Sequence, residues 1–477
     1  MLYKNLARRS FLRKAGLGLA AFPAASVLAS GMAQERVHSD SAKKPGTAVE
    51  PAPRKPALIL NIRDFGATGD GATKDTAAIQ QAIDRCSVLG GGEVLVPAGN
   101  YLTGALALRS NTIVRFEEDA NILGSPDFAD YPVTQVRWEG KWIQGHAGLI
   151  YAIDASHIGI IGPGKIAGNA ALAGRPNARN PLRRPSLIEL IACNDIRLKD
   201  FSTEYRSMWS IHTTYCENIL IRNLTIRSSG GNGDGIDIDS SKHVRIDACD
   251  IATGDDCISV KSGRGSEAYT LLKTSEDIEI ANCTFADSIF ACIGIGSETS
   301  GGIRNVRIEH CKFTQARTFA LYIKSRAGRG AFIEDITAND LDVSGAGGGF
   351  LRLNLLSSGI QDPDPVPGDE GIPTLRNFRF SNIRVTDCAV LADGVGIHPN
   401  KPLDGFSLIN VTGTCAKGIS LANVQKAEIR NINITGLAGP LLSIHSVTGK
   451  GLEGAATIEG PEVPDPIPAP NEPYRLR

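Results

Sequence analysis

A recurring set of apolar positions restricts the fold of this chain more than any other feature of its sequence. Short apolar triplets begin at residues 219, 244, 278, 306 and 336, so successive starts are separated by 25, 34, 28 and 30 residues. Two further apolar residues follow each start, five and seven positions later. The starts are Ile219, Val244, Ile278, Val306 and Ile336, the fifth positions are Leu224, Cys249, Cys283, Cys311 and Leu341, and the seventh positions are Ile226, Ile251, Phe285, Phe313 and Val343.

A repeat of roughly 22–30 residues with several short strands in each copy is typical of a solenoid. The sequence therefore predicts an all-β fold, a single-stranded right-handed parallel β-helix whose loops absorb the variation in length. A β-sandwich also has many short strands, but it gives no reason for an in-register ladder of apolar positions. An amphipathic segment over 75–83 predicts a short N-terminal helix that caps one end of the coil, with Asp75 as its N-cap.

Residues 1–33 have the features of an export signal. Arg8-Arg9 lie in a basic segment, an Ala/Gly-rich stretch follows, and Gly31-Met32-Ala33 supplies small residues for cleavage. The segment resembles a twin-arginine signal, which implies a periplasmic or secreted protein and the twin-arginine export machinery as a partner. An ordinary Sec signal is the alternative. We expect a linker over 34–57, a β-helix domain over 58–450 and a Pro-rich tail over 451–477.

The charge balance excludes several classes of partner. The chain has 50 basic and 51 acidic residues, and loss of a signal with five basic and no acidic residues leaves a net charge of −6. A mildly acidic chain has no electrostatic footprint for nucleic acid, and no other segment is long and apolar enough to span a membrane. Any acidic substrate would therefore need locally placed cations. We expect a monomer without a cofactor.

Ten cysteines in an exported chain could form disulfides. However, Cys249, Cys283 and Cys311 occupy the same position of successive repeats, which predicts a stack of thiols inside the coil. There cysteine acts as a small apolar residue, so we expect mostly reduced thiols.

Three aspartates fall at equivalent points of two successive repeats. Asp234 follows Asn232-Gly233, Asp255 and Asp256 follow Gly254, and an alternating strand begins two residues after Asp234 and after Asp256. Because stacked parallel strands lie about 4.8 Å apart, the sequence predicts that the three carboxylates converge on one patch of surface. Like charges at that distance perturb one another's protonation.

Cleavage of a glycosidic bond needs one protonated acid and one ionised carboxylate that activates water, and crowded carboxylates can supply both. A single Asp in a turn usually has only a structural role, because Asp is a turn former. Calcium binding, as a polysaccharide lyase would use it, is the competing functional use of three carboxylates and stays open here.

Several segments of the chain resemble glycoside hydrolase family 28, the polygalacturonase-like pectin hydrolases. The resemblance extends from about residue 58 to 440, and 254–263 and 295–306 are its longest and most specific segments. The residues that carry it are Asp64–Gly71, Arg137–Gly140, Leu149–Ala152, Asn232–Asp237, Gly254–Gly263, Ile295–Val306 and Leu321–Lys324.

This resemblance implies a pectinase-like β-helix and inverting hydrolysis without a metal. Asp255 would be the general acid, and Asp234 and Asp256 would hold and deprotonate the water. Lys324 matches the lysine that binds the substrate carboxylate, and Tyr322 and Asn232 are the further candidates for substrate binding.

Two departures from the family pattern bear on the substrate. The segment Ser288–Ile293 lacks the family's Gly-His-Gly histidine, and Tyr322-Ile323-Lys324 replaces its Arg-Ile-Lys, so a bidentate carboxylate fork is lost. We therefore expect hydrolysis of a pectin-like polysaccharide of galacturonan or rhamnogalacturonan type. A polysaccharide lyase and a catalytically inactive glycan-binding β-helix are the alternatives.

Overall fold

The computed structural model describes residues 58–174, 181–465 and 467. The first elements along the chain are β1 (Ile59–Asn61), β2 (Asp70–Lys74), α1 (Thr76–Val88), β3 (Gly92–Val96), β4 (Gly99–Thr103), β5 (Leu106–Ala107), β6 (Thr112–Phe116), β7 (Ala120–Gly124), β8 (Val133–Trp138) and β9 (Lys141–His146). They are followed by β10 (Ile150–Ile153), β11 (Ser156–Ile161), β12 (Lys165–Ala167), β13 (Ile188–Ile191), β14 (Asn194–Lys199), β15 (Ser202–Tyr205), β16 (Ile211–Thr214), β17 (Glu217–Arg222), β18 (Thr225–Ser228), β19 (Ile236–Asp239), β20 (Lys242–Asp247), β21 (Asp250–Ala252) and β22 (Ile258–Lys261).

The remaining elements begin with α2 (Gly265–Leu271) and include the longest strands. They are α2, β23 (Ser275–Ala281), β24 (Thr284–Ala286), β25 (Ile293–Ile295), β26 (Ile303–Phe313), β27 (Phe319–Lys324), β28 (Phe332–Ser344), β29 (Gly349–Asn354), β30 (Thr374–Gly396), β31 (Leu403–Thr435), β32 (Leu442–Lys450) and β33 (Ala456–Thr457). Short 3₁₀ turns occupy Ile62–Phe65, Phe128–Asp130, Ala170–Leu172 and Gly368–Gly371.

Thirty-one of these strands form one parallel sheet that winds around the molecule. Its first face stacks β5, β10, β13, β16, β19, β22, β25, β27 and β29 in that order. The pairing is parallel throughout, and each strand pairs with the equivalent strand of the next coil rather than with its neighbour in sequence. This arrangement confirms the predicted parallel β-helix.

The apolar repeat is the interior of the coil. Ile219, Val244, Ile278, Val306 and Ile336 are register partners on consecutive coils, and all five are buried. Each coil thus places an apolar side chain directly above that of the coil before it. All ten cysteines are free and buried, in agreement with their predicted place inside the coil.

Helix α1 packs against β1, β3, β5 and β6, strands of the first coils, and its apolar side chains Ile79, Ala82, Ile83 and Cys86 join the core. Asp75 stands at the N-cap position but makes no side-chain bond to the helix. Its carboxylate instead accepts hydrogen bonds from the backbone N–H groups of Thr68 (2.7 Å) and Gly69 (3.0 Å), which fixes the preceding turn. The predicted N-cap therefore holds the turn rather than the helix end.

Three insertions leave the coil on or beside the first face, and they shape the site described below. The β8–β9 hairpin is the antiparallel pair that precedes β10, α2 follows β22, and a loop over 355–373 follows β29. In the described part of the chain, no helix combines the length and the apolar character that crossing a membrane requires. The predicted export signal and linker, residues 1–57, lie outside the described residues, as do residues 466 and 468–477 of the predicted tail.

Candidate active site

Two turns that carry the predicted acids lie side by side on the first face. Gly235 N–H donates to the Asp256 carbonyl oxygen at 3.0 Å, and Cys257 N–H donates to the Ala291 carbonyl oxygen at 3.2 Å. The backbones of successive turns are therefore in register immediately before β19, β22 and β25. This register places Asp234 beside Asp256, as the spacing in the sequence predicts.

The three predicted carboxylates converge. One oxygen from each of Asp234, Asp255 and Asp256 lies within 4.8 Å of the other two. Asp234 and Asp256 are buried at the base of a cavity, whereas Asp255 is half-buried. Asp255 is thus the most accessible of the three acids.

Asp256 is held on both of its oxygens. Lys324 Nζ donates to Oδ2 at 2.7 Å, Ser259 Oγ donates to the same oxygen at 2.8 Å, and Ala291 N–H donates to Oδ1 at 3.1 Å. These donors, and Lys324 on β27 above all, hold the Asp256 side chain in one orientation as a hydrogen-bond acceptor.

Asp234 has a different environment. Lys261 Nζ lies 3.5 Å from its Oδ2 and also donates to Asp237 on β19, the strand that follows Asp234. Burial, together with the charge of Asp237, raises the pKa of Asp234 well above its ordinary value. Burial likewise raises the pKa of Asp237 to about 6, although Lys261 opposes the shift.

The pKa of Asp255 is raised to about 7, first by burial and then by the negative charges of Asp234 and Asp256. Lys324 and Lys261 oppose this shift but do not cancel it. At a pH below 7 the Asp255 carboxyl therefore carries a proton, and it does so beside the Asp256 carboxyl that accepts a hydrogen bond from Lys324. One site thus presents a proton donor and a carboxylate that can accept a proton, which is the pair that general acid–base chemistry requires.

Gly294 on β25 leaves room for the ion pair between Asp256 and Lys324. A Cβ atom at this position would lie 2.4 Å from Asp256 Oδ2 and 3.2 Å from Lys324 Nζ. Any side chain here would push the ion pair apart. The sequence places Gly294 in the same column as Asp237, Ser259 and Tyr322, and the strand pairing confirms that column.

A cavity of about 170 Å³ lies above the three acids. Its other walls come from β-helix turns, from the β8–β9 hairpin and from the 355–373 loop. The lining residues are Glu139, Trp209, Asn232, Asp234, Asp255, Asp256, Lys261, Arg264, Gly296, Ser297, Glu298, Lys324, Gly359 and Ile360.

Of the predicted binding residues, Lys324 and Asn232 line the cavity, whereas Tyr322 does not line it within the described chain. Tyr322 is buried among aromatic rings, 5.8 Å from the Phe290 ring centre and 6.2 Å from that of Phe319. Lys324 Nζ lies 4.5 Å from the Phe290 ring centre. Aromatic side chains thus occupy the region in which the family pattern would have a histidine and an arginine.

Sequence reasoning missed the contributions of Ser259 and Glu298 to the site. Glu298 lies within the segment 295–306 that carries the family resemblance, so a signal for it was present. Ser259 likewise lies within 254–263, another segment that carries the resemblance, but its hydrogen bond to Asp256 depends on packing at the site.

Comparisons with known proteins identify the family. The sequence profile described as "Glycosyl hydrolases family 28" matches residues 86–349. The chain belongs to glycosyl hydrolase family 28. It is a glycoside hydrolase on a parallel β-helix, and its three converging aspartates lie within the matched residues.

Relatives of this family 28 member include enzymes from plants and bacteria. A probable polygalacturonase of Vitis vinifera is 32% identical over 372 residues, which cover 75% of this chain and 74% of the relative. An exo-poly-alpha-D-galacturonosidase of Dickeya chrysanthemi is 29% identical over 315 residues, 54% of this chain and 50% of that enzyme. Among solved structures, a hyperthermoactive exopolygalacturonase from Thermotoga maritima has a TM-score of 0.70 at 26% identity and covers 80% of this chain and 93% of that one.

Proposed function

We propose that this family 28 member is an exported inverting hydrolase of a pectin-like polysaccharide of galacturonan or rhamnogalacturonan type. The convergence of Asp234, Asp255 and Asp256 within 4.8 Å carries the proposal. Its relatives are named as polygalacturonases, which supports galacturonan as the polymer.

In the proposed reaction a water molecule attacks the anomeric carbon of the sugar. The bond between that carbon and the glycosidic oxygen breaks, and the Asp255 proton moves to the departing oxygen. Asp256, with Asp234 beside it, orients the water and accepts its proton, so that the balance of protons is kept. Asp255 is the only acid of the three that is half-exposed and has a pKa raised to about 7, which suits the role of donor.

Digestion of homogalacturonan and rhamnogalacturonan, with products identified by mass, tests the activity. We expect hydrolysis products from at least one of these polymers. Asp255→Asn should lower kcat by about 10²- to 10⁴-fold, the usual contribution of general acid catalysis. Asp404→Asn, which changes an exposed carboxylate paired with Lys426, is the matched control and should leave kcat unchanged. Equal activity in both variants would refute the assignment of the acid.

The stereochemistry needs its own measurement. Inverting enzymes usually keep their two carboxyl groups about 6.5–9.5 Å apart, and retaining enzymes about 5–5.5 Å apart. The 4.8 Å limit joins the nearest oxygens of the three acids and is not the separation of two carboxyl groups, so it assigns neither outcome. Inversion is supported by the family resemblance, and proton NMR of the first product anomer decides between the two outcomes.

The same oxygens could instead bind a cation, as a calcium-dependent lyase requires. Lys324 and Lys261 already bring two positive charges to this cluster, which favours the hydrolase. A lyase would give products that absorb in the ultraviolet and would lose activity with a chelator. We expect activity to persist in chelator and no ultraviolet-absorbing product.

Export rests on Arg8-Arg9 and the segment that follows them. Replacing both arginines with lysine should retain the protein in the cytoplasm, because twin-arginine signals are read by the arginine pair. Cell fractionation with immunodetection measures this. Normal export of the double variant would favour the Sec alternative.

A further inference from the structure

Outward-facing side chains of the first face change from buried to exposed along the molecule. One column of register partners runs from Glu189 and His212 through Asp237 to Tyr322 and Arg352. Glu189 and His212 precede the catalytic coils, and each is only 1% exposed. Polar side chains that point out of a coil reach such burial only where another segment lies over them.

The β8–β9 hairpin is positioned over these coils. Arg137 Nε donates to Asp239 Oδ2 at 3.1 Å, and both side chains are buried. The Trp138 ring stacks on Trp209 with ring centres 5.6 Å apart, and Trp209 in turn contacts His212 at 4.6 Å. The hairpin therefore packs on β16 and β19 and covers the first face before the cavity begins.

The tip of the hairpin closes against the opposite side of the cavity. Its turn residues are Glu139 and Gly140, and Arg264 N–H donates to the Gly140 carbonyl oxygen at 3.3 Å. A Cβ atom at Gly140 would lie 2.9 Å from Arg264 N, so glycine is required for this approach. Glu139 itself lines the cavity.

Ion pairs link the tip of the hairpin to the 355–373 loop. Lys141 Nζ lies 3.2 Å from Asp362 Oδ1, and Arg264 Nε lies 3.5 Å from Asp362 Oδ2, with the Asp362 side chain fully buried. The loop supplies Gly359 and Ile360 to the cavity wall. Hairpin, α2 and loop thus form a continuous wall at one end of the cavity.

Toward β29, on the side of the cavity away from the hairpin, the outward side chains of the first face are more exposed. Beyond Tyr322 the column continues with Arg352 and Asp393, whose side chains are 40% and 31% exposed. Arg352 stacks on the Tyr322 ring with its guanidinium carbon 5.4 Å from the ring centre. A polymer can lie over these residues, whereas the wall prevents it from continuing past Glu139 and Trp209.

We propose that the cleft accepts its polymer only by a chain end and releases a single sugar unit at each cleavage. The terminal unit occupies the cavity between the wall and the acids, and the rest of the chain runs over Arg352, which covers the buried Tyr322 ring. This inference rests on the proposed function, since it concerns how the same acids meet their substrate.

The size of the earliest products tests the inference on the full protein. With homogalacturonan we expect monosaccharide from the first time point, together with little loss of viscosity. A ladder of oligosaccharides in the first few per cent of hydrolysis would overturn chain-end attack but leave hydrolysis intact. Absence of any product from every pectic polymer would refute the proposed function instead, so the two failures are distinguishable.

Trimming the hairpin tests the wall directly. Replacing residues 136–143 with a two-residue turn should raise the share of oligosaccharide among the first products by about ten-fold, because the polymer could then pass through the cleft. The double variant Glu139→Ala with Lys141→Ala opens the tip without shortening it, in case the trimmed chain does not fold. Lys426→Ala removes a surface ion pair as the control and should keep the wild-type products.

Arg352→Gln tests the direction of the polymer. Loss of its charge should raise KM for long galacturonan chains by about five-fold and leave KM for the disaccharide nearly unchanged, as expected of a rim cation. An equal effect on both lengths, or no effect on either, would contradict the placement of the chain over Arg352.

Discussion

At the scale of single residues, Asp255 and Asp256 show how adjacent side chains acquire different chemistry. Asp256 receives Lys324, Ser259 and a backbone N–H, whereas Asp255 is partly buried with no comparable set of donors. The difference arises because Asp256 points toward the next coils and Asp255 toward the cavity. Sequence spacing predicts that the acids meet, but only the packing between coils decides which one keeps its proton.

The raised pKa of Asp255 predicts the alkaline limb of the pH profile. Catalysis needs the protonated form, so kcat/KM should fall as the pH rises through about 7 rather than through the ordinary value of 3.8. Initial rates measured from pH 4 to pH 9 locate this limb. A limb near pH 4 would show that Asp255 is not the proton donor.

The same shift has a consequence for stability. A carboxyl whose pKa is raised on folding favours the folded state least at high pH, where its ionised form is buried beside like charges. Removing the charge with Asp255→Asn should therefore raise Tm at pH 8 on the order of 2 °C and leave Tm unchanged near pH 3.5, below the unfolded pKa. Thermal unfolding at the two pH values checks both halves of this expectation.

Gly294 offers a second test, because its missing side chain leaves room for Asp256 and Lys324. Gly294→Ala would place a methyl group 2.4 Å from Asp256 Oδ2. We expect kcat to fall by about 10²-fold, since a displacement of 1 Å in a catalytic group has that effect. Gly439→Ala, where no heavy atom lies within 4 Å of the added carbon, is the control and should retain full activity. Similar rates in the two variants would mean that this packing is unimportant.

At the scale of elements, the strands of the coil were predictable and the insertions were not. The repeat is visible in the sequence at Val244, Ile278 and Val306, because every coil buries the residue at this position. The β8–β9 hairpin carries no such periodicity, and its place over Glu189 and His212 follows from contacts with distant coils. Its residues Arg137–Gly140 could be singled out by resemblance, but the wall that they build could not be foreseen.

The burial of the cysteines predicts how their thiols react with a modifying reagent. All ten cysteines are buried, and burial raises the pKa of Cys216, most strongly among the causes of its shift. We expect almost no reaction with a thiol reagent in the native protein and ten reactive thiols after unfolding in denaturant without reductant. Recovery of clearly fewer than ten thiols from freshly purified protein would indicate disulfides and refute the predicted interior stack.

At the scale of the whole molecule, the fold separates stability from chemistry. The continuous apolar interior is built by coil after coil, while the acids and the wall lie on one face and its insertions. Polar groups can therefore crowd at the site, because the burial of many equivalent apolar side chains elsewhere stabilises the coil. In the sequence, the repeat period reveals the apolar interior, whereas only the three aspartates reveal the site.

Net charge gives a last prediction at this scale. Removal of residues 1–33, as the sequence predicts, would leave 45 basic and 51 acidic residues, so the remaining chain and a galacturonan polymer would repel each other at long range. Salt screens exposed charges beyond about 10 Å at 0.1 M, but it acts little on the buried Lys324–Asp256 pair. Raising ionic strength from about 0.01 to 0.15 M should therefore increase kcat/KM on galacturonan by roughly two-fold and leave a fully methyl-esterified substrate unaffected. A decrease with salt would mean that the cations of the cleft, rather than the charge of the whole molecule, control the encounter with the polymer.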